Sequence, residues 1–179
     1  MAMTPRLRKF ALTAHISSSV GWLGAVAGFL ALAVAGLTSQ EDQMARAAYL
    51  AMELTASFVI VPLSLASLLT GLVQSLGTKW GLFRHYWVLA KLLITFLATL
   101  LLLLHMQPIS TLAGAAAEMS LSGADLRPLR VQLVVNAGAA LLALLAATTL
   151  SVYKPRGLTP YGWRKQQEQR AGVASHLGF

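Results

Sequence analysis

RHYWVLAKLLITFLATLLLLLHM, from Arg84 to Met106, is long and apolar enough to cross a bilayer. The hydrocarbon core is roughly 30 Å thick and takes about 20 apolar residues in a helix. The same run carries Lys91 inside it, His85 ahead of it and His105 at its far end. An ionisable group at membrane depth is costly and therefore a candidate for function. Reading outward from this stretch, three further apolar runs of similar length appear. They predict spans at about 17–37, 54–76 and 131–152, with the opening stretch supplying 87–106.

Composition agrees. Of 179 residues, 56% are hydrophobic and 11% charged, against about 25% charged in soluble domains. There is no cysteine, which excludes disulfides, zinc–thiolate sites, iron–sulfur clusters and thiol catalysis. The net charge of +8 flanks the apolar runs, which fits lipid headgroups rather than nucleic acid. The expected fold class is all-α: an integral membrane four-helix bundle, up-down-up-down, over 1–153, with a basic tail over 154–179. Arg6, Arg8 and Lys9 precede the first run as in a signal peptide. That run is longer than the 7–15 residues of a typical signal core, so it is expected to stay as a span.

Within the first span, Ser17, Gly21, Gly24, Gly28, Ala31 and Ala35 recur every three or four residues. Such a stripe lets backbones approach closely in lipid. It predicts either a packing face within the bundle or a homodimer seam through Gly21, Gly24 and Gly28. A second stripe, His15, Trp22 and Phe29, lies about 140° round the helix. The stretch from Thr38 to Met52 reads as a polar, mildly acidic connection. In the second span Glu53, Ser57, Ile60, Ser64, Ser67, Gly71 and Gln74 form a regular stripe expected to face the interior. Pro62 predicts a kink, with Ser64 and neighbouring helices re-satisfying the freed carbonyl. In the third, Lys91, Thr95, Ala98, Leu102 and His105 share a face. Residues 107–130 read as a loop with a short surface helix. In the fourth, Gln132, Asn136, Ala139, Ala143 and Ala146 form a small and polar stripe.

Four spans put both termini on one side. That side would hold Arg6, Arg8, Lys9, Lys79, Arg84, Lys154, Arg156, Arg164, Lys165 and Arg170. The other would hold Arg46, Arg127 and Arg130. The positive-inside rule then makes both termini cytoplasmic. Depth sorts the polar residues into an inner layer (His15, Trp22, His85, Lys91) and an outer one (Glu53, His105, Met106). Met44, Met52, Met106 and Met119 all fall towards the outer surface, and thioether with imidazole suits copper(I). No phosphate-cradling glycine loop, carboxylate pair or Ser/His/Asp set is evident, and catalytic residues stay unassigned.

HISSSVGWLGA in the first span and WVLAKLLIT in the third carry a resemblance. Together they resemble bacterial four-to-five-span integral membrane proteins related to the copper-resistance D-like group, with partial similarity to the bacterial membrane protoporphyrinogen oxidases. The matching positions are His15, Trp22, Gly24, Trp87, Lys91, Leu92 and His105. The resemblance implies the bacterial inner membrane and a helical bundle that binds b-type haem, or a protein connected with copper. For a haem, the inner layer supplies His15 with His85 as axial ligands, Trp22 against the macrocycle and Lys91 toward a propionate. The rival outer site is His105 with Met106 and Glu53. The alternatives are a structural or accessory subunit without cofactor and a copper- or small-solute-handling protein.

Overall fold

The computed structural model describes residues 4–77, 83–118, 126–153 and 157–176, leaving aside the side chains of 169, 170 and 172–176. Lys79, Met119, Lys154 and Arg156 lie outside the described residues. Four helical segments are long and apolar enough to cross a membrane: Pro5–Thr38, Asp42–Gly77, Tyr86–Ala117 and Arg127–Tyr153.

The first is one helix, α1 (Pro5–Thr38). Thr4 caps it, its hydroxyl accepting from the Leu7 N–H at 3.4 Å. Pro5 fills the first helical position, where a missing N–H costs nothing. The second begins well before the predicted span. Helix α2 (Asp42–Thr55) runs through a π-turn over Ala56–Ile60 into α3 (Val61–Gly77). The stretch read as a polar connection is helical because Ala45, Ala48, Tyr49 and Met52 share one buried face. Arg46 and Glu53 flank that face, half-buried.

The third segment is α4 (Tyr86–Leu104) followed by α5 (Met106–Ala117), broken at His105. Residues 106–117 are thus no surface helix: Ile109, Leu112, Ala113 and Ala116 are buried. Pro108 explains the break, since it cannot donate to the Leu104 carbonyl. Helix α6 (Arg127–Tyr153) forms the fourth segment, and α7 (Pro160–His176) gives the basic tail a fold of its own.

Helix α1 packs on α2, α3 and α6; α4 packs on α3 and α6; α2 packs on α5. Helices α1 and α4 thus take opposite corners. Consecutive segments run antiparallel. Gln74 at the end of α3 reaches the Ala11 carbonyl near the start of α1. Arg46 near the start of α2 reaches the Ala116 carbonyl at the end of α5. Tyr86 at the start of α4 donates to Gly157, just past α6. The core is Trp22, Val26, Phe29 and Ala33 of α1, Tyr49, Met52 and Ile60 of the second segment, Ile109 and Leu112 of α5, and Leu133, Ala137 and Leu144 of α6.

Helix α4, the most apolar, is the least buried, with Thr99 its one fully buried side chain. That is reasonable in lipid, where Leu gains nothing by leaving the acyl chains. The stripe of small residues is not a packing face within the chain. A side chain added at Gly24 or Gly28 would meet nothing within 4 Å, whereas Val26 on another face is core. Gly21 is the exception, close against Leu63. Of the fourth-span stripe, Gln132, Ala139 and Ala146 are exposed, so it borders the core rather than entering it.

Candidate functional site

The inner polar layer resolves into a seam between α1 and α3. His15 Nδ1 lies 3.2 Å from the Ser67 carbonyl and 3.1 Å from the Thr70 hydroxyl. A carbonyl only accepts, so Nδ1 carries the proton and Nε2 is left as the base. Ser19 and Ser67 join their hydroxyls at 2.8 Å, and Gln74 Nε2 donates to Ala11 at 2.8 Å. The His15 ring rests on Gly71, where an added Cβ would come within 3.1 Å of it. The serine stripe of the second segment therefore does face inward, as its spacing predicted. Ser64 is fully buried, but its hydroxyl donates to Val61 at 2.8 Å, not to a carbonyl a full turn before Pro62.

His85 stands at the start of α4, pairing by its backbone with Leu158. Its ring centroid is 6.2 Å from that of Trp87, and Lys91 Nζ is 6.0 Å from the Trp87 centroid. Helices α1 and α4 both run antiparallel to α3, so His15 and Lys91 start from the same end of the bundle. Thus His15, His85, Trp87 and Lys91 belong to one end of the bundle. Thr159 fastens α7 there, accepting from Gly162 N–H and donating to Phe83.

Trp22 belongs elsewhere. It lines a cavity of about 400 Å³ toward the other end, walled by all four segments. Trp22, Val26 and Phe29 come from α1, Ile60 from the π-turn, Ile94 to His105 from α4 and the break, and Leu133 to Ala143 from α6. The wall is almost wholly apolar. Its polar members besides the Trp22 indole are His105 and Asn136, the latter from the small and polar stripe of the fourth span. His105 Nδ1 is 2.7 Å from the Leu101 carbonyl, so again Nδ1 donates and Nε2 is the base. Asn136 Nδ2 is buried and, among the described residues, has no hydrogen-bond partner. Glu53 and Met106 do not line this cavity, although Met106 packs against the core.

At the same end, two arginines have structural partners. Arg46 Nε donates to Ala116 at 3.2 Å, capping α5, and the Arg130 guanidinium lies 5.5 Å from the Tyr49 ring centroid. Of the described methionines, Met44 is half exposed, while Met52 is fully buried and Met106 packs against the same core. Among the described residues, no three His, Asp or Glu side chains form a group able to hold a metal ion. The chain matches no family model, no curated protein and no solved structure.

Proposed function

We propose that this chain is a multi-pass protein of the bacterial cytoplasmic membrane, both termini cytoplasmic, whose bundle holds a small, largely apolar molecule between its spans. The observation that carries this reading is the cavity of about 400 Å³ bordered by all four segments. That size falls in the usual range for small-molecule sites, which are apolar with a few placed polar groups. The orientation rests on the basic residues near the termini. It gains force because Arg46 and Arg130, on the opposite side, have structural partners. A homodimer through Gly24 and Gly28 is the use we propose for the open small face, with Gly21 already spent on Leu63.

A second reading, b-type haem for a redox role, is favoured by one specific observation. His15 and His105 each have Nδ1 held by a main-chain carbonyl. Ligating histidines are commonly oriented in this way. His105 suits the role better than His15 with His85, because it borders a cavity with Trp22 and Phe29 in its wall. Bound there, haem would supply one-electron chemistry. The test is the purified protein expressed with ample haem. Its reduced-minus-oxidised spectrum, and those of His15→Ala, His85→Ala and His105→Ala, decide between haem sites. Mass spectrometry of the copurifying small molecules decides the broader reading. A lipophilic compound near one per chain, lost on filling the cavity with Ala143→Phe, supports it. An empty wild type that takes up no apolar probe overturns it.

A further inference from the structure

Two concavities meet on α6. The cavity between the four segments shares Asn136 with a shallow groove lined by Arg127, Pro128, Val131, Gln132 and Val135, which carries on toward the start of the helix. Past the break at His105 the third segment packs mainly on α2 and leaves this face of α6 uncovered. Val131, Gln132 and Val135 are accordingly exposed. Cavity and groove together form one trough along the helix.

The inner part has an open side. Leu97 and Leu101 of α4 line it and yet are 46% and 55% exposed, and Ala139 of α6 lines it and is exposed too. These residues face the surroundings of the bundle, which for apolar spans are acyl chains. The trough is therefore reached sideways, between α4 and α6, from within the membrane. Lipid tails are as apolar as leucine, so a hydrocarbon chain enters without shedding water. An unfilled gap would forfeit the dispersion contacts of its lining.

The outer part supplies a charge. Of the arginines at this end, Arg46 is held by Ala116 and Arg130 lies over Tyr49. Arg127 lines the groove and is exposed, at the first residue of α6, where the span leaves the hydrocarbon. The lining on α6 runs from Arg127 to Ala143, about 24 Å at about 1.5 Å per residue. One leaflet, half of a bilayer about 40–45 Å thick with its headgroups, measures about 20–22 Å. The trough thus matches the length of one phospholipid, with its cation at the headgroup end.

We propose that the trough is a phospholipid site: one acyl chain lies in the cavity between α4 and α6, and the phosphate pairs with Arg127. This rests on the cavity being the functional site and names its occupant as a lipid of the surrounding membrane.

The experiment uses the full chain in lipid nanodiscs, with Trp80, Trp87 and Trp163 replaced by Phe so that Trp22 alone reports. Trp22 lines the cavity but is only 2% exposed, so the bundle shields it from lipid elsewhere. A phospholipid brominated on its acyl chain should quench it strongly, and Ala143→Phe, which fills the cavity, should remove most of that quenching. Native mass spectrometry of the wild-type chain from mixed phosphatidylglycerol and phosphatidylcholine should show one retained phospholipid, the anionic one enriched about fivefold. Arg127→Gln, an exposed replacement, should fold normally and cancel the enrichment while Trp22 stays quenched. Saturable quenching by 1-bromododecane in detergent reports whether the cavity admits an alkyl chain with no headgroup. If that probe binds but no phospholipid is retained, or Ala143→Phe leaves the lipid quenching unchanged, the phospholipid assignment is overturned and the cavity stands as a site for another apolar molecule. Enrichment that survives in Arg127→Gln would overturn the pairing with phosphate. Failure of both brominated probes to quench Trp22 would sink the cavity reading as well.

Discussion

His15 donates from Nδ1 to the main-chain carbonyl of Ser67, 3.2 Å away, and thereby ties the first transmembrane segment to the second. The bond sits in a seam with Ser19, Thr70 and Gln74, all reaching across between α1 and α3. In lipid such bonds are worth about 0.6 kcal/mol on average, with some near 1.7. His15→Ala removes the bond and the ring's packing on Gly71 together. We expect a loss of about 1–2 kcal/mol, seen as a lower melting temperature in detergent. An unchanged melting temperature would mean the seam does not depend on His15.

Glycines in α1 divide by what faces them. An added Cβ at Gly36 would come within 2.8 Å of Tyr49 Cζ, whereas at Gly24 and Gly28 it would meet open space. Gly36→Ala therefore forces the Tyr49 ring, and the Arg130 guanidinium over it, to shift. Overpacking of this kind costs about 1–3 kcal/mol. Gly24→Ala should leave the monomer's stability as it is, and Val26→Ala should lower it by emptying core volume. Unfolding curves of the three variants check the order. Gly24→Leu should alter only the oligomeric state; if it unfolds the chain, the small face packs internally after all.

Much of this was legible in the sequence, and for identifiable reasons. Long apolar runs mark spans because lipid demands them. The Ser64, Ser67, Gly71 and Gln74 spacing marked an inward face because polar groups avoid acyl chains. Where the reading failed, tertiary packing overrode local composition. Residues 42–55 looked polar, yet Ala45, Ala48, Tyr49 and Met52 find a partner face on α1 and α5. Depth reckoned from the span ends puts Trp22 in the inner layer with His15. Seven residues are about 10 Å along a helix, enough to carry it into the cavity with His105. The cavity itself could not be read from spacing, because it depends on four segments meeting. Pro108 was the available signal for the break that puts His105 on its wall.

Topology has a direct test. A reporter active only in the periplasm should be silent when fused after His176 and active when inserted after Ala117. The reverse pattern would overturn the orientation. If Arg46 and Arg130 act through their structural partners, Arg46→Gln and Arg130→Gln should lower stability without inverting the protein. Arg46 caps a helix end, a contribution of about 1 kcal/mol. Replacing Arg6, Arg8 and Lys9 together with Gln should instead weaken the bias that sets orientation.

The last prediction joins backbone irregularity to the cavity. Ala56–Ile60 forms a π-turn in which the Val61 N–H reaches back to Ala56. Pro62 follows at once, and its missing N–H leaves the turn one helical donor short. One inserted residue per turn turns Ile60 inward, where it is 2% exposed and lines the cavity. Pro62→Ala restores the donor and allows a regular α-helix, which a single-turn π-bulge gives up at a functional position. We expect this variant to fold, with stability equal to or above wild type. A regular helix rotates every residue on one side of the turn by about 100° relative to the other. Ile60 would then leave the wall and the cavity would change shape, so uptake of an apolar probe should fall several-fold while the polar seam at His15 persists. Retention of full uptake together with raised stability would show that the π-turn serves packing alone.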